Sequence, residues 1–218
     1  KMKSENIFIQ IYFVAGNHEY WTSSFEEANE ILKGFAVKFS FFHFLQDFKP
    51  TALFDYSFVE GSMERVLLFG DTSWFQYKVD YILGFPMWSD FEEISGFSKM
   101  YEERKIFLYS QAEKVLNDDF YKDYKKVLIT HHAPIRQFCL YGGHGSTYDH
   151  YYYDSKFADL VMNQKYKPDF WFYGHTHIEI EEELDSIQVR SYPRGYPSDR
   201  KSGKMDVCAS HYGKVVNV

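Results

Sequence analysis

The chain has 218 residues, 45% hydrophobic and 25% charged, a balance that excludes disordered, collagen-like and low-complexity classes and fits one domain, residues 1–218. A net charge of −7, from 24 Lys and Arg against 31 Asp and Glu, argues against a generic electrostatic binder of nucleic acid or of an anionic membrane. Two cysteines, Cys139 and Cys208, form neither a CxxC pair nor a disulfide framework, so a reduced cytoplasmic setting is expected.

In chain order, Ile7–Val14 is an apolar, β-branched and aromatic run that reads as a buried strand. It is too short for a membrane span, and no small-residue cleavage site follows it. Gly16-Asn17-His18-Glu19 is a turn. Ser24 and Glu27 then form a capping box for an amphipathic helix carrying Phe25, Ala28, Ile31, Leu32 and Phe35, expected to stop near Gly34. Strands are expected around Leu53–Val59 and Arg65–Phe69, joined at Gly61-Ser62. A polar helix from Met100 to Asn117 leads into the strand Lys126–Thr130, which ends abruptly at His131-His132-Ala133-Pro134. A Gly/Tyr/His-rich loop covers Tyr141–Tyr153, a helix Ser155–Tyr166, and a short strand Phe170–Tyr173 ends at Gly174-His175-Thr176-His177. Ile178, Ile180, Ile187 and Val189 then alternate with polar residues as half-exposed strands do.

One pattern recurs three times: an apolar strand, then a polar turn with His or Asn. Ligands of open α/β sheets bind outside the carboxyl ends of the strands, so the three turns can converge. Together they offer Asn17, His18, His131, His132, His175 and His177. Imidazole suits Zn, Fe, Mn or Ni, and an amide oxygen suits the harder of these. Alone, each histidine reads as a hydrogen-bonded loop residue; three clusters reverse that preference.

GNHE at Gly16–Glu19, THHAP at Thr130–Pro134 and GHTH at Gly174–His177 resemble the calcineurin-like metallophosphoesterases. YPRGYP at Tyr192–Pro197 and LLFGDTSWF at Leu67–Phe75 are similar to segments of an icc-like bacterial subgroup, the second preceding a variable insertion. The resemblance covers nearly the whole chain. It implies an α/β (α+β) fold, a β-sandwich flanked by helices. It also implies two divalent transition-metal ions (Mn, Fe or Zn), with a single ion as the alternative for this chain. Asn17, His131 and His175 are the implied ligands of one metal and His177 of the other. His18 is the implied catalytic group facing the leaving oxygen, after in-line attack by a metal-bound hydroxide.

Members of that family begin with Asp-x-His and Gly-Asp motifs before GNHE, and neither precedes Gly16 here. The first strand–helix–strand unit is therefore expected to be missing and the site incomplete. Asp71, in a Gly-Asp pair after GNHE, reads as a plain strand-end residue rather than a substitute bridge.

His132, His144 and Arg194 are the candidate substrate contacts; the competing readings are a second-layer histidine, a solvated loop and a structural turn. The 22 Phe, 19 Tyr and 4 Trp could stack on a nucleobase, but their scatter, with Lys outnumbering Arg, fits AT-rich coding better. The expected activity is metal-dependent hydrolysis of a phosphomonoester or phosphodiester in a small molecule, nucleotide or phosphoprotein. The alternative is an inactive member kept as a binding or scaffold module.

Overall fold

The computed structural model describes residues 9–57, 62–75, 88–139 and 149–193. Its first strand, β1, covers Ile11–Phe13, and β2 is the two-residue Ser23–Ser24. Helix α1 spans Phe25–Lys38 and opens with the expected capping box: Glu27 N donates to Ser24 Oγ at 3.2 Å and Ser24 N to Glu27 Oε2 at 3.1 Å. The expected stop near Gly34 is wrong. The helix runs one turn further, because Gly34 faces open space and keeps helical geometry; an interior glycine costs only about 1 kcal/mol relative to alanine.

Three elements absent from the sequence reading follow. β3, Phe42–Phe44, pairs in parallel with β1 in the register Ile11↔Phe42. After β4 (Thr51–Ser57) and β5 (Ser62–Asp71), a five-residue helix α2 (Ser89–Glu93) runs into β6 (Ile94–Ser95), which pairs in parallel with β2. Helix α3 (Phe97–Asn117), strand β7 (Lys125–Thr130), helix α4 (Ser155–Met162) and strands β8 (Phe170–Phe172), β9 (Ile180–Leu184) and β10 (Ile187–Ser191) complete the fold. Helix α4 is shorter than the expected 155–166. The β9–β10 hairpin turns on Asp185 and Ser186, both at positive φ (50° and 69°), as the twist of a two-residue turn demands.

The main sheet has six strands in the order β4-β5-β7-β8-β10-β9. Its four inner strands are parallel and its two edges antiparallel. This is a mixed α/β fold in which β5, β7, β8 and β10 all end on one rim. One core packs Leu67, Phe69, Leu128, Trp171, Ile187 and Val189 of the sheet against α3 and α4. A second, aromatic core gathers Tyr20, Phe25, Trp74, Phe75, Phe97, Tyr101 and Tyr151. Each fully buried large side chain contributes roughly 1.5–3 kcal/mol. The end of β1 reaches the main sheet at Gly70, where an added Cβ would meet Ile129 O at 2.5 Å and Val14 Cγ1 at 2.8 Å. A side chain there would push the GNHE turn away from the rim.

Candidate functional site

Three expected turns come together on that rim. His131 follows β7, and its backbone N–H donates to Thr72 O at 3.1 Å, just past the end of β5. Gly174 N donates to His131 O at 3.0 Å, drawing the turn after β8 against the turn after β7. His175 and His177 both sit at positive φ (64° and 52°), a conformation rare for side-chain-bearing residues in which His is enriched. The reversal swings both rings off the direction of β8. Gly16 brings in the third turn: a Cβ on it would lie 2.6 Å from His131 Cε1.

The result is a tight donor set. His131 Nε2 lies 3.0 Å from Asn17 Oδ1 and 3.1 Å from His175 Nδ1. Burial drives the pKa of His131 and His132 well below the usual imidazole value and that of His175 down to about 3, with neighbouring histidines adding to the effect. His18 and His177 are close enough to contribute electrostatically to the shifts of His131 and His175. His131, His132 and His175 are therefore neutral at pH 7, with lone pairs available.

Donors bound to one transition metal at about 2.1 Å stand roughly 2.9–3.4 Å apart, and the two measured spacings fall in that range. Asn17 Oδ1, His131 Nε2 and His175 Nδ1 thus fit the first shell of one divalent ion. The buried Nε2 of His132 and of His175 make no hydrogen bond of normal geometry among the described residues. His132, only 1% exposed, lies beneath His175 with ring centroids 4.4 Å apart and packs on Trp74 and Phe75. It supports the ring rather than facing open space. His18 stacks on Trp21 at 3.8 Å, and Tyr152 covers His175 at 4.9 Å. His144 and Arg194 fall outside the described residues.

Carboxylates are the difference from the expected two-ion centre. Among the described residues, no group of three or more His, Cys, Asp or Glu side chains is arranged to hold an ion. Asp71, buried at the end of β5, is engaged by Arg104 Nη2 at 2.6 Å, which also reaches Asp47 at 2.5 Å. Burial raises the Asp71 carboxyl's pKa and Arg104 opposes the rise. Asp90, absent from the sequence reading, accepts hydrogen bonds from Asn17 Nδ2 (2.9 Å), Trp21 Nε1 (2.8 Å) and Trp88 Nε1 (3.1 Å). Nothing local singled it out: in Trp88-Ser89-Asp90 it resembles any acidic residue in the first turn of a helix.

The family model for calcineurin-like phosphoesterases matches residues 1–179. Among curated proteins none matches in sequence. Among solved structures, the chain is similar to phosphopantetheinyl hydrolase from Mycobacterium tuberculosis, with a TM-score of 0.57 and 16% identity over 90% of this chain and 73% of that one. At that identity the likeness is one of fold.

Proposed function

The chain belongs to the calcineurin-like phosphoesterase family, and on that premise we propose that it hydrolyses a phosphoester using a divalent ion held by Asn17, His131 and His175. The observation that carries this reading is the convergence of Asn17 Oδ1, His131 Nε2 and His175 Nδ1 at 3.0–3.1 Å. The chemistry supplied by such an ion is Lewis-acid polarisation of the phosphoryl group and activation of water. His177, on the same turn as His175, is our candidate ligand for a second ion. His18 is proposed to hold a proton at its ring nitrogen for the departing oxygen, its plane set by stacking on Trp21. Tyr152 over His175 and the rings beneath it restrict water on that side of the donor set.

The substrates proposed are phosphorylated small molecules, nucleotides or phosphoproteins, acted on by residues 1–218 as one domain in the cytoplasm. No helix among the described residues is long and apolar enough to cross a membrane. The phosphopantetheine linkage named for the Mycobacterium protein makes a phosphodiester a sensible first substrate to try. A second reading, an inactive metal-binding or scaffold member, is favoured by the engagement of Asp71 with Arg104 and of Asp90 with two indoles.

Hydrolysis of bis(p-nitrophenyl) phosphate and p-nitrophenyl phosphate with added Mn²⁺ separates the two. The enzyme reading expects turnover that His131→Ala abolishes and His18→Ala reduces. Turnover no higher than that of both variants leaves the scaffold reading standing.

A further inference from the structure

Asp90 has 0% exposure, and three neutral N–H groups donate to it: one amide and two indoles. Burial raises the pKa of this carboxyl, and the three donors and then His18 oppose the rise; a buried carboxylate costs several kcal/mol more than an apolar side chain of similar size. Packing alone therefore does not account for it. What it does can be read from its acceptors.

A carboxylate only accepts hydrogen bonds. Asn17 must therefore turn its NH₂ toward Asp90 Oδ1, and the amide oxygen is thereby aimed at His131 Nε2. Rotating the amide by half a turn would set oxygen against oxygen. The same Oδ1 accepts Trp21 Nε1, which fixes the rotation of the indole on which His18 lies, rings 21° from parallel. Trp88 Nε1 on Oδ2 holds the carboxylate itself. The backbone closes the arrangement: Thr22 N donates to Glu93 O at 2.8 Å, and β2 pairs with β6 immediately after these residues.

From this geometry we propose that Asp90 is the positioning residue of the site. It aims the Asn17 oxygen directly and sets the His18 ring through Trp21. The inference rests on the reading of Asn17 as a metal ligand and His18 as the proton donor. It adds a residue from outside all three histidine-bearing turns, on the short helix α2.

Asp90→Leu keeps the approximate shape and removes both acceptor oxygens, Oδ1 for Asn17 and Trp21 and Oδ2 for Trp88. In the 218-residue chain stripped of metal, Mn²⁺ affinity measured by calorimetry is expected to fall about tenfold to a hundredfold. kcat on bis(p-nitrophenyl) phosphate is expected to fall with KM unchanged. Trp21→Phe keeps an aromatic face for His18 but removes the N–H; kcat is expected to drop about tenfold or more with Mn²⁺ affinity unaltered. Unfolding curves report whether each variant is folded, and Trp21→Phe carries the test if Asp90→Leu does not fold. Wild-type Mn²⁺ affinity in a folded Asp90→Leu, beside its loss in His131→Ala, overturns the role of Asp90 alone. Unchanged kcat in Trp21→Phe overturns the link to His18. If His131→Ala also binds Mn²⁺ as the wild type does, the metal-site reading itself falls, and the role of Asp90 with it.

Discussion

His131 and His175 stand at the ends of β7 and β8, inside a six-stranded sheet with continuous backbone ladders on both sides of those strands, whereas Asn17 and His18 follow the three-residue strand β1. The sheet-borne half is held by main-chain hydrogen bonds such as Gly174 N to His131 O, which no substitution of a side chain deletes. The loop-borne half is held by side chains: Asn17 and Trp21 on Asp90, with a two-residue ladder behind them. The difference teaches that changes beneath the rim of the sheet, away from the donor atoms themselves, should tell mainly on folding. Changes at the GNHE turn should tell mainly on chemistry.

The sharpest way to break that division is Arg104→Met. It strands Asp71 and Asp47 beside the end of β5; removing one partner of a buried pair costs about 3–5 kcal/mol. Urea unfolding should show the loss, and an unchanged midpoint would mean that the sheet side does not depend on this pair. On the loop side, His18→Ala should lower kcat about a hundredfold or more with little change in the urea midpoint. A large loss of stability there would erase the contrast. Gly16→Ala probes the seam between the halves, since its Cβ would sit 2.6 Å from His131 Cε1. Overpacking of this kind costs about 1–3 kcal/mol, and Mn²⁺ affinity should fall with it.

Acid tests the sheet side in the metal-free chain. The folded-state pKa values of His131, His132 and His175 lie below the unfolded value of about 6.5. Below pH 6.5 the unfolded chain therefore takes up protons that the folded rings refuse. Stability should be greatest above pH 6.5 and fall as pH drops, for His175 until about 3. The slope is at most about 1.4 kcal/mol per pH unit for each histidine. Urea curves in EDTA at pH 7, 6 and 5, above the range of ordinary carboxylates, measure it. A flat profile would mean that the rings are charged in the folded state. The smallest effect belongs to Ser24→Ala, remote from the rim, where loss of the α1 cap costs about 1 kcal/mol and kcat should not move.

The sheet-borne half was largely legible in the sequence. Lys126–Thr130 and Phe170–Phe172 announce themselves as strands because both faces are packed and the runs are apolar without interruption. The motifs at their ends then fall on one rim by topology. The capping box of α1 was equally plain, being a local exchange between Ser24 and Glu27. The end of α1 was misjudged because glycine's weak helix preference is easily overridden. β3 and β6 were missed because each acquires strand character only from a distant partner, β1 and β2. The engagement of Asp71 with Arg104 joins residues 33 apart, and that of Asp90 with Asn17 residues 73 apart; no spacing rule connects them.

The tryptophans carry one more consequence. All four in the chain border these turns: Trp21 and Trp88 on Asp90, Trp74 beside His132, and Trp171 on Thr130 Oγ1, whose hydroxyl donates to His132 O. Intrinsic fluorescence is then a local signal rather than a global one, and with His18 stacked on Trp21 a movement of that ring should change it. The protein carries its own optical probe of changes at these turns, without a label.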